Sequence, residues 1–174
     1  MSNIKSISFI IPSINRETLH RTVDSIEAWL HDEIIVEFDK PRMHMWGNPQ
    51  RNKGMIRATG EYLAFIDDDD YYLPGHREIM DKAIEENPGV PIMFKIQYPN
   101  GSNLWKYKKL IPGNVSTQMM LVPNKPGLLH TWEGGRNMAD FIFMDKWKWK
   151  ENQIVWREEV IVNMGHDDGT TASS

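Results

Sequence analysis

The 174-residue sequence contains no cysteine. Disulfides and thiolate chemistry are therefore excluded, and a reducing compartment suits the chain. No apolar run approaches the roughly 18 residues that a membrane-spanning helix needs. There is no excess of positive charge either: 20 Lys and Arg against 24 Asp and Glu leave a formal net charge of -4. That removes the bulk signature of a nucleic-acid binder and leaves room only for a local basic surface. The opening "MSNIKSISFIIP" lacks the positive start and long apolar core of a signal peptide. These absences together predict a soluble protein with a cytoplasmic address, whether in a cell or in a virus-infected host. Two nucleotide-binding signatures are missing as well. No Gly-x-Gly-x-x-Gly follows the first apolar run, and "GNPQRNKG" at 47–54 sets Lys53 before Gly54 with no Gly-Lys-Ser/Thr. A nicotinamide dehydrogenase and a P-loop kinase lose support accordingly.

What is present fits one domain with one sizeable core. "ISFII" at 7–11 is apolar almost throughout, which predicts a strand covered on both faces. Leu19, Val23, Ile26 and Leu30 recur at helical spacing, with Asn15 or Thr18 available as a cap. "EIIVEF" at 33–38 reads as a second strand. "QRNKGMIRAT" reads as a short helix closed by a left-handed Gly60, and "YLAFI" at 62–66 as a third strand. Ile79, Met80, Ala83 and Ile84 mark another helix, stopped by "NPG" at 87–89. "VPIMFKI", "STQMMLVP" and "QIVWREEVIVNM" are strand-like, and "NMADFIFMDKWKWK" is helix-like. The alternation predicts an α/β fold: a mostly parallel central sheet with flanking helices and a small mixed addition.

The stretch "EYLAFIDDDDYYLPG" at 61–75 places four consecutive aspartates after a buried strand. On charge content alone a solvated acidic loop explains it equally well. Position favours function, because ligands of open α/β sheets collect at the carboxyl ends of strands. Four adjacent carboxylates repel unless a cation relieves them, and hard divalent ions take oxygen ligands. If the segment stays extended, alternation puts Asp67 and Asp69 on one side and Asp68 and Asp70 on the other. Arg51 and Lys53 can meet phosphate or balance the acids.

"FIIPSINRETLHRTVDSI", "NPQRNKGMIRATGEYLAFIDDDDYYLPG" and the final "GHDDGTT" together resemble the inverting nucleotide-sugar glycosyltransferases of the GT-A fold, of the family 2 type. The resemblance covers most of residues 4–88 and is looser afterwards. It implies a single GT-A domain over 1–174, with 1–88 as the nucleotide-sugar half and 89–174 as the acceptor and catalytic half. It implies a nucleoside-diphosphate sugar donor, usually uridine-linked, and Mn²⁺ or Mg²⁺. Pro12, Ser13 and Asn15 then border the nucleotide. Glu37 or Asp39 reaches the base, and Arg51 lies near the nucleotide or sugar. Asp67 contacts ribose or supports the metal, Asp69 is the principal metal ligand with His166 completing the shell, and Asp68 is secondary. Asp70 holds the sugar or the loop. Asp140 matches the general base at the start of a helix, although "AD" replaces the commoner Glu-Asp. Without the resemblance, a first-turn aspartate is more simply a helix-dipole partner. Ile14 stands where an aromatic is usual.

On the acceptor side, "LLHTWEGGRNM" at 128–138 offers Trp132 as a stacking platform beside Glu133, with a structural tryptophan equally plausible. "DKWKWKENQIVWRE" at 145–158 interleaves rings and cations as a nucleic-acid surface can, although tryptophans packed inward are simpler. Saccharide, lipid-linked and protein acceptors stay open, as does a hydroxymethylated base in DNA. The rivals are a metal-dependent nucleotidyltransferase, a sugar-nucleotide hydrolase and a non-catalytic nucleotide-sugar binding module.

Overall fold

The computed structural model describes residues 4–136 and 138–165. Strand β1 (Ile7–Ser13) is buried along its whole length, as a continuous apolar run between two layers should be. Helix α1 (Leu19–Ser25) leads to β2 (Glu33–Phe38), which pairs in parallel with one side of β1. Helix α2 (Asn48–Arg57) leads to β3 (Tyr62–Phe65), parallel to the other side of β1. Then follow β4 (Tyr71–Tyr72), α3 (His76–Glu86), β5 (Ile92–Gln97) and β6 (Asn103–Leu104). A 3₁₀ turn at Thr117–Met119 opens β7 (Met120–Pro123). Helix α4 (Ala139–Asp145) and β8 (Val155–Asn163) complete the chain.

The sheet order is β2-β1-β3-β7-β5-β8-β4, with β6 on β5. Among the described residues, three pairings are parallel and four antiparallel. The sheet is therefore mixed, not mostly parallel. The expected helical crossovers hold for β2-β1-β3, where each connection carries a helix. Beyond β3 the neighbour is β7, which runs antiparallel and needs no helical crossover.

Two local expectations fail for identifiable reasons. Helix α1 ends at Ser25, so the stripe is broken: Ile26 is buried but extended, and Leu30 is 91% exposed. The Ser25 hydroxyl donates to the Thr22 carbonyl and accepts from the Tyr72 N–H, tying the end of the helix to β4. Gly60 is not a left-handed helix cap, since α2 ends on an extended Ala58. A Cβ at Gly60 would lie 2.6 Å from the Ser8 nitrogen, so glycine is needed for close approach to β1. Gly54 is needed in the same way: a Cβ there would meet Ile10 at 2.5 Å, and its absence lets α2 lie flat on β1.

The core lies on both faces of β1 and β3 and extends under α4. Trp132 stacks on Phe143 with ring centroids 4.1 Å apart, and Phe65 meets both edge-on. Trp147 and Trp149 are buried while Lys146, Lys148 and Lys150 are exposed. Helix α4 stops at Asp145, short of this segment, and the alternation turns its rings inward rather than towards a nucleic acid. At the amino end of the sheet, Arg77 and Asp32 form a fully buried pair at 2.6 Å. Asp32 also accepts the Ile7 N–H at 2.8 Å, which fastens β1 at its start.

Candidate active site

The four aspartates follow β3, and they do not continue it. Residues 68 and 69 form a turn in which the Asp70 N–H donates to the Asp67 carbonyl at 3.2 Å. The turn changes which carboxylates share a side. Asp67 and Asp70 both accept from the Gln118 amide nitrogen, at 3.0 and 2.6 Å. Asp68 and Asp69 both accept from the Arg16 guanidinium, at 3.0 and 2.5 Å. The expected Asp67/Asp69 and Asp68/Asp70 sides are replaced by Asp67/Asp70 and Asp68/Asp69, because a turn does not keep the alternation of a strand.

The repulsion among four carboxylates is offset by donors drawn from several elements. Asp68 is buried and also accepts from the Ser13 hydroxyl at 2.7 Å and the Ile14 N–H at 3.1 Å. It therefore holds the loop after β1 against the turn. Ser13 accepts in turn from the Asn15 N–H, with Asn15 in the left-handed region at φ 65°. Arg21 donates to the Asp69 carbonyl at 3.0 Å. Asp70 is fully buried, and the Gly165 N–H donates to it at 2.8 Å. Burial first, and then the charges of Asp67 and Asp69, push its carboxyl well above the ordinary aspartate range. Asp70 was expected beside sugar or acceptor, or holding the loop. Its complete burial leaves it no surface for an acceptor and makes it a support of the turn.

Arg51 is the hub of the other side. It is only 5% exposed and donates to Asp67 at 2.5 Å and to the Trp46 carbonyl at 2.7 Å. Its guanidinium lies 4.9 Å from the Trp132 ring centre. Trp132 itself is 3% exposed, and its main chain is held at both polar groups by Asn52. It is a core residue with no face open to an acceptor, which corrects the stacking-platform expectation. Glu133 is exposed and pairs with Lys146.

Asp140 sits in the first turn of α4 and accepts from the Thr117 hydroxyl. Its residue surface is partly open, yet its carboxyl is crowded by protein. That burial raises its pKa, while nearby Arg51 and the Thr117 hydroxyl work against the rise. Asp67 pairs with Arg51, whose charge also acts on Asp140, and the 3₁₀ turn at Thr117–Met119 touches both acids through Thr117 and Gln118. Thr117 and Gln118 were not foreseen. The local signal is weak: "STQ" directly precedes the apolar run "MMLV", and that Thr117 and Gln118 are buried is known only from the fold.

Of the nucleotide-side expectations, Asp39 accepts from buried Gln50 and from the Met43 N–H, both at 2.9 Å. Glu37 instead pairs with Arg57. Pro12 packs under Gly47, where a Cβ would come within 2.9 Å of it. His166 lies outside the described residues. Gly165, just before it, rests directly on the turn: a Cβ there would overlap the Asp69 carbonyl oxygen. Among the described residues, no three His, Cys, Asp or Glu side chains gather as a metal-binding group, and no helix is long and apolar enough to cross a membrane.

With this geometry in view, residues 46–144 match the family described as Glycosyl transferase family 2. The chain belongs to that family. Its curated relatives include an uncharacterized glycosyltransferase of Haemophilus influenzae, 31% identical over 146 residues, covering 70% of this chain and 50% of the relative. Another is the uncharacterized glycosyltransferase YwdF of Bacillus subtilis, 30% identical over 98 residues, covering 48% and 35%. The chain thus spans half or less of the length of these relatives. Among solved structures, S. aureus TarS 1-349 in complex with UDP-GlcNAc superposes with a TM-score of 0.70 at 16% identity, over 91% of this chain and 58% of that one. A longer TarS structure gives 0.67 at 14% identity, over 91% and 36%. At such identity the likeness is one of fold, and it assigns this family 2 chain the GT-A architecture.

Proposed function

We propose that this chain transfers a glycosyl group from a nucleoside-diphosphate sugar, uridine-linked, to an acceptor hydroxyl with inversion at the anomeric carbon. One observation carries the reading. A partly enclosed carboxylate, Asp140, held by Thr117, is joined to Asp67 through the adjacent Thr117 and Gln118, and Asp67, which pairs with Arg51, lies just past the carboxyl end of β3. Open α/β sheets bind ligands at that end. Asp140 takes the acceptor proton as the acceptor oxygen attacks. The new carbon–oxygen bond forms while the bond to the diphosphate breaks, and the electron pair leaves with the nucleotide. Asp39 and Asn15 line the nucleotide side, with buried Ser13 behind them holding Asp68, and Arg51 neutralises charge between donor and base. Residues 1–88 chiefly hold the donor, and residues 89–174 supply the base and the acceptor side.

The aspartate turn offers hard oxygen donors, the chemistry that suits Mn²⁺ or Mg²⁺. Ions of the Mg²⁺ type are commonly held by one or two carboxylates together with substrate phosphates. We assign Asp69 to this role, with His166 as a further ligand; the turn sets the Asp67 carboxylate on the other side, against Arg51 and Gln118. When bound, the ion draws negative charge from the departing diphosphate.

The test is Asp140→Asn, assayed with a panel of UDP-sugars and Mn²⁺. Donor affinity is expected to stay within about twofold, while turnover falls by about a hundredfold or more. Because burial raises the Asp140 pKa, the base is lost on acidification at a pH above the ordinary aspartate range. The acid limb of kcat/KM should lie there in the parent protein. A folded Asn variant with full turnover would remove Asp140 from the reaction.

A further inference from the structure

The loop between β2 and α2 presents a tryptophan to solvent in an unfavourable backbone conformation. Trp46 has φ 56° and is 51% exposed. Left-handed geometry is uncommon for a bulky residue and persists only where the surroundings impose it. Here they do. The Trp46 carbonyl accepts from Arg51, the arginine that pairs with Asp67. The next residue, Gly47, has φ 77° and is wedged against Pro12. With the main chain clamped on both counts, the indole is left half-exposed. Met43 and Met45, 49% and 48% exposed, widen the apolar surface beside it.

A cation completes the feature. The Arg136 guanidinium lies 5.6 Å from the centre of the Trp46 ring. Arg136 belongs to the turn that feeds α4, where Met138 and Ala139 both donate to the Gly135 carbonyl, and it stands four positions before Asp140. The neighbouring Gly134 carbonyl accepts from Asn48 at 3.1 Å, so the two loops are joined beside this contact. Among the described residues, Arg136 has no carboxylate partner. The nearby Glu133 is engaged with Lys146, and residues 40–60 contain no acid at all. An exposed ring and a cation with no carboxylate partner among the described residues thus stand together, tied to the site through the Trp46 carbonyl on Arg51 and through the turn that leads into α4.

We infer that Trp46 and Arg136 form an acceptor subsite for an anionic glycan, a sugar bearing a carboxylate or a phosphate. The indole takes the apolar face of the sugar ring, and the guanidinium takes the anionic group, which a planar fork binds in bidentate fashion. This rests on the glycosyl-transfer reading for its meaning, but it can be measured apart from it.

The experiment titrates methyl β-glucoside, methyl β-glucuronide and glucose 6-phosphate into the full chain, with and without UDP. Both charged probes are expected to bind at least about tenfold more tightly than the neutral one, and their ranking separates carboxylate from phosphate. Arg136→Gln should bring all three to one level, with Arg136→Lys restoring part of the preference. Trp46→Ala should weaken all three by about tenfold, and Trp46→Phe should recover most of that loss. UDP affinity and the thermal midpoint should hold in every variant. Equal binding of charged and neutral probes by the parent protein would overturn the proposal. A loss of UDP affinity in Trp46→Ala would also overturn it, since the ring would then serve the donor. So would a drop in thermal midpoint without a change in probe binding, since the pair would then be only a latch between loops. A parent protein that binds no UDP-sugar defeats the glycosyl-transfer reading alone, because the charged-probe preference measured without UDP still decides this one.

Discussion

At the scale of single residues, the site depends on side chains that serve two acids at once. Gln118 is the clearest case. Its amide nitrogen is shared between Asp67 and Asp70, and its amide oxygen accepts from the Ser116 hydroxyl at 2.6 Å. That arrangement leaves the amide a single useful orientation. A leucine of similar size would fill the space but leave two carboxylates short of a donor. Gln118→Leu is expected to lower unfolding free energy by about 1–3 kcal/mol, the usual cost of stranding a buried polar group. Urea denaturation measures it, and an unchanged midpoint with an unchanged slope would show that Gln118 does not support the turn. Gln118→Glu should be worse, because it adds a like charge to the crowded group. Arg16 plays the matching part for Asp68 and Asp69. It lies in the "PSINR" stretch but was not singled out as a site residue.

At the scale of elements, short structures are held in place by caps and stacks more than by length. Helix α3 begins at His76, which is fully buried between Tyr72, stacked at 4.3 Å, and Phe9. Its Nδ1 donates to the Leu73 carbonyl at 2.9 Å, which fixes the entry into the helix. Burial holds its pKa below the ordinary histidine value. The folded state therefore keeps the ring neutral while the unfolded chain takes up a proton. This contributes stability above the unfolded pKa, near 6.5, that is lost as pH falls through the lower folded value. Parent stability should drop as pH falls below about 6.5, and His76→Phe should flatten that drop while losing the bond to Leu73. Chemical denaturation across that range measures both. An equal slope in the variant would assign the acid sensitivity to other groups. The same logic of close fit governs Gly165 and Gly54, where the missing Cβ lets the chain after β8 rest on the Asp69 carbonyl and lets α2 rest on the Ile10 side chain.

At the scale of the whole molecule, the two halves assigned to donor and acceptor are not two folding units. Strand β4, from the first half, pairs with β8, the last strand of the chain. Strand β3 pairs with β7 across the same divide. Asp70 takes hydrogen bonds from Gln118 and Gly165, and Asp67 from Gln118, so the aspartate turn itself is completed by the second half. A fragment of residues 1–88 would expose one side of β3, leave β4 without a partner and leave buried acids without donors. It is expected to show no cooperative thermal transition by circular dichroism, whereas the full chain should melt in one step. A cooperative transition in the fragment would mean that β1, β2 and β3 with their helices suffice.

The order of elements followed from local pattern. Strands β1, β2 and β3 and helix α3 fall where apolar periodicity put them, because burial of a face is written at spacings of two or of three to four residues. The family was legible too, since "PSINR", "RNKG" and "FIDDDD" are contiguous and keep their order. Ser13, Arg51 and Asp67 to Asp70, within these motifs, and Asp140, outside them, are named by the sequence as candidates, and the fold joins them by hydrogen bonds. What the sequence could not determine depended on approach between distant segments. Only the tertiary structure made the sheet mixed, by inserting β7 beside β3. It alone turned the aspartates out of strand geometry, so that Asp67 pairs with Asp70 through Gln118 and Asp68 with Asp69 through Arg16. It buried Trp132, which the sequence left open between core and platform, and exposed Trp46, which carried no signal at all. A side chain's exposure is set by what folds against it. For Trp132 the deciding neighbours are Phe143 and Asn52, the latter 80 positions away along the chain, a separation that no local pattern records.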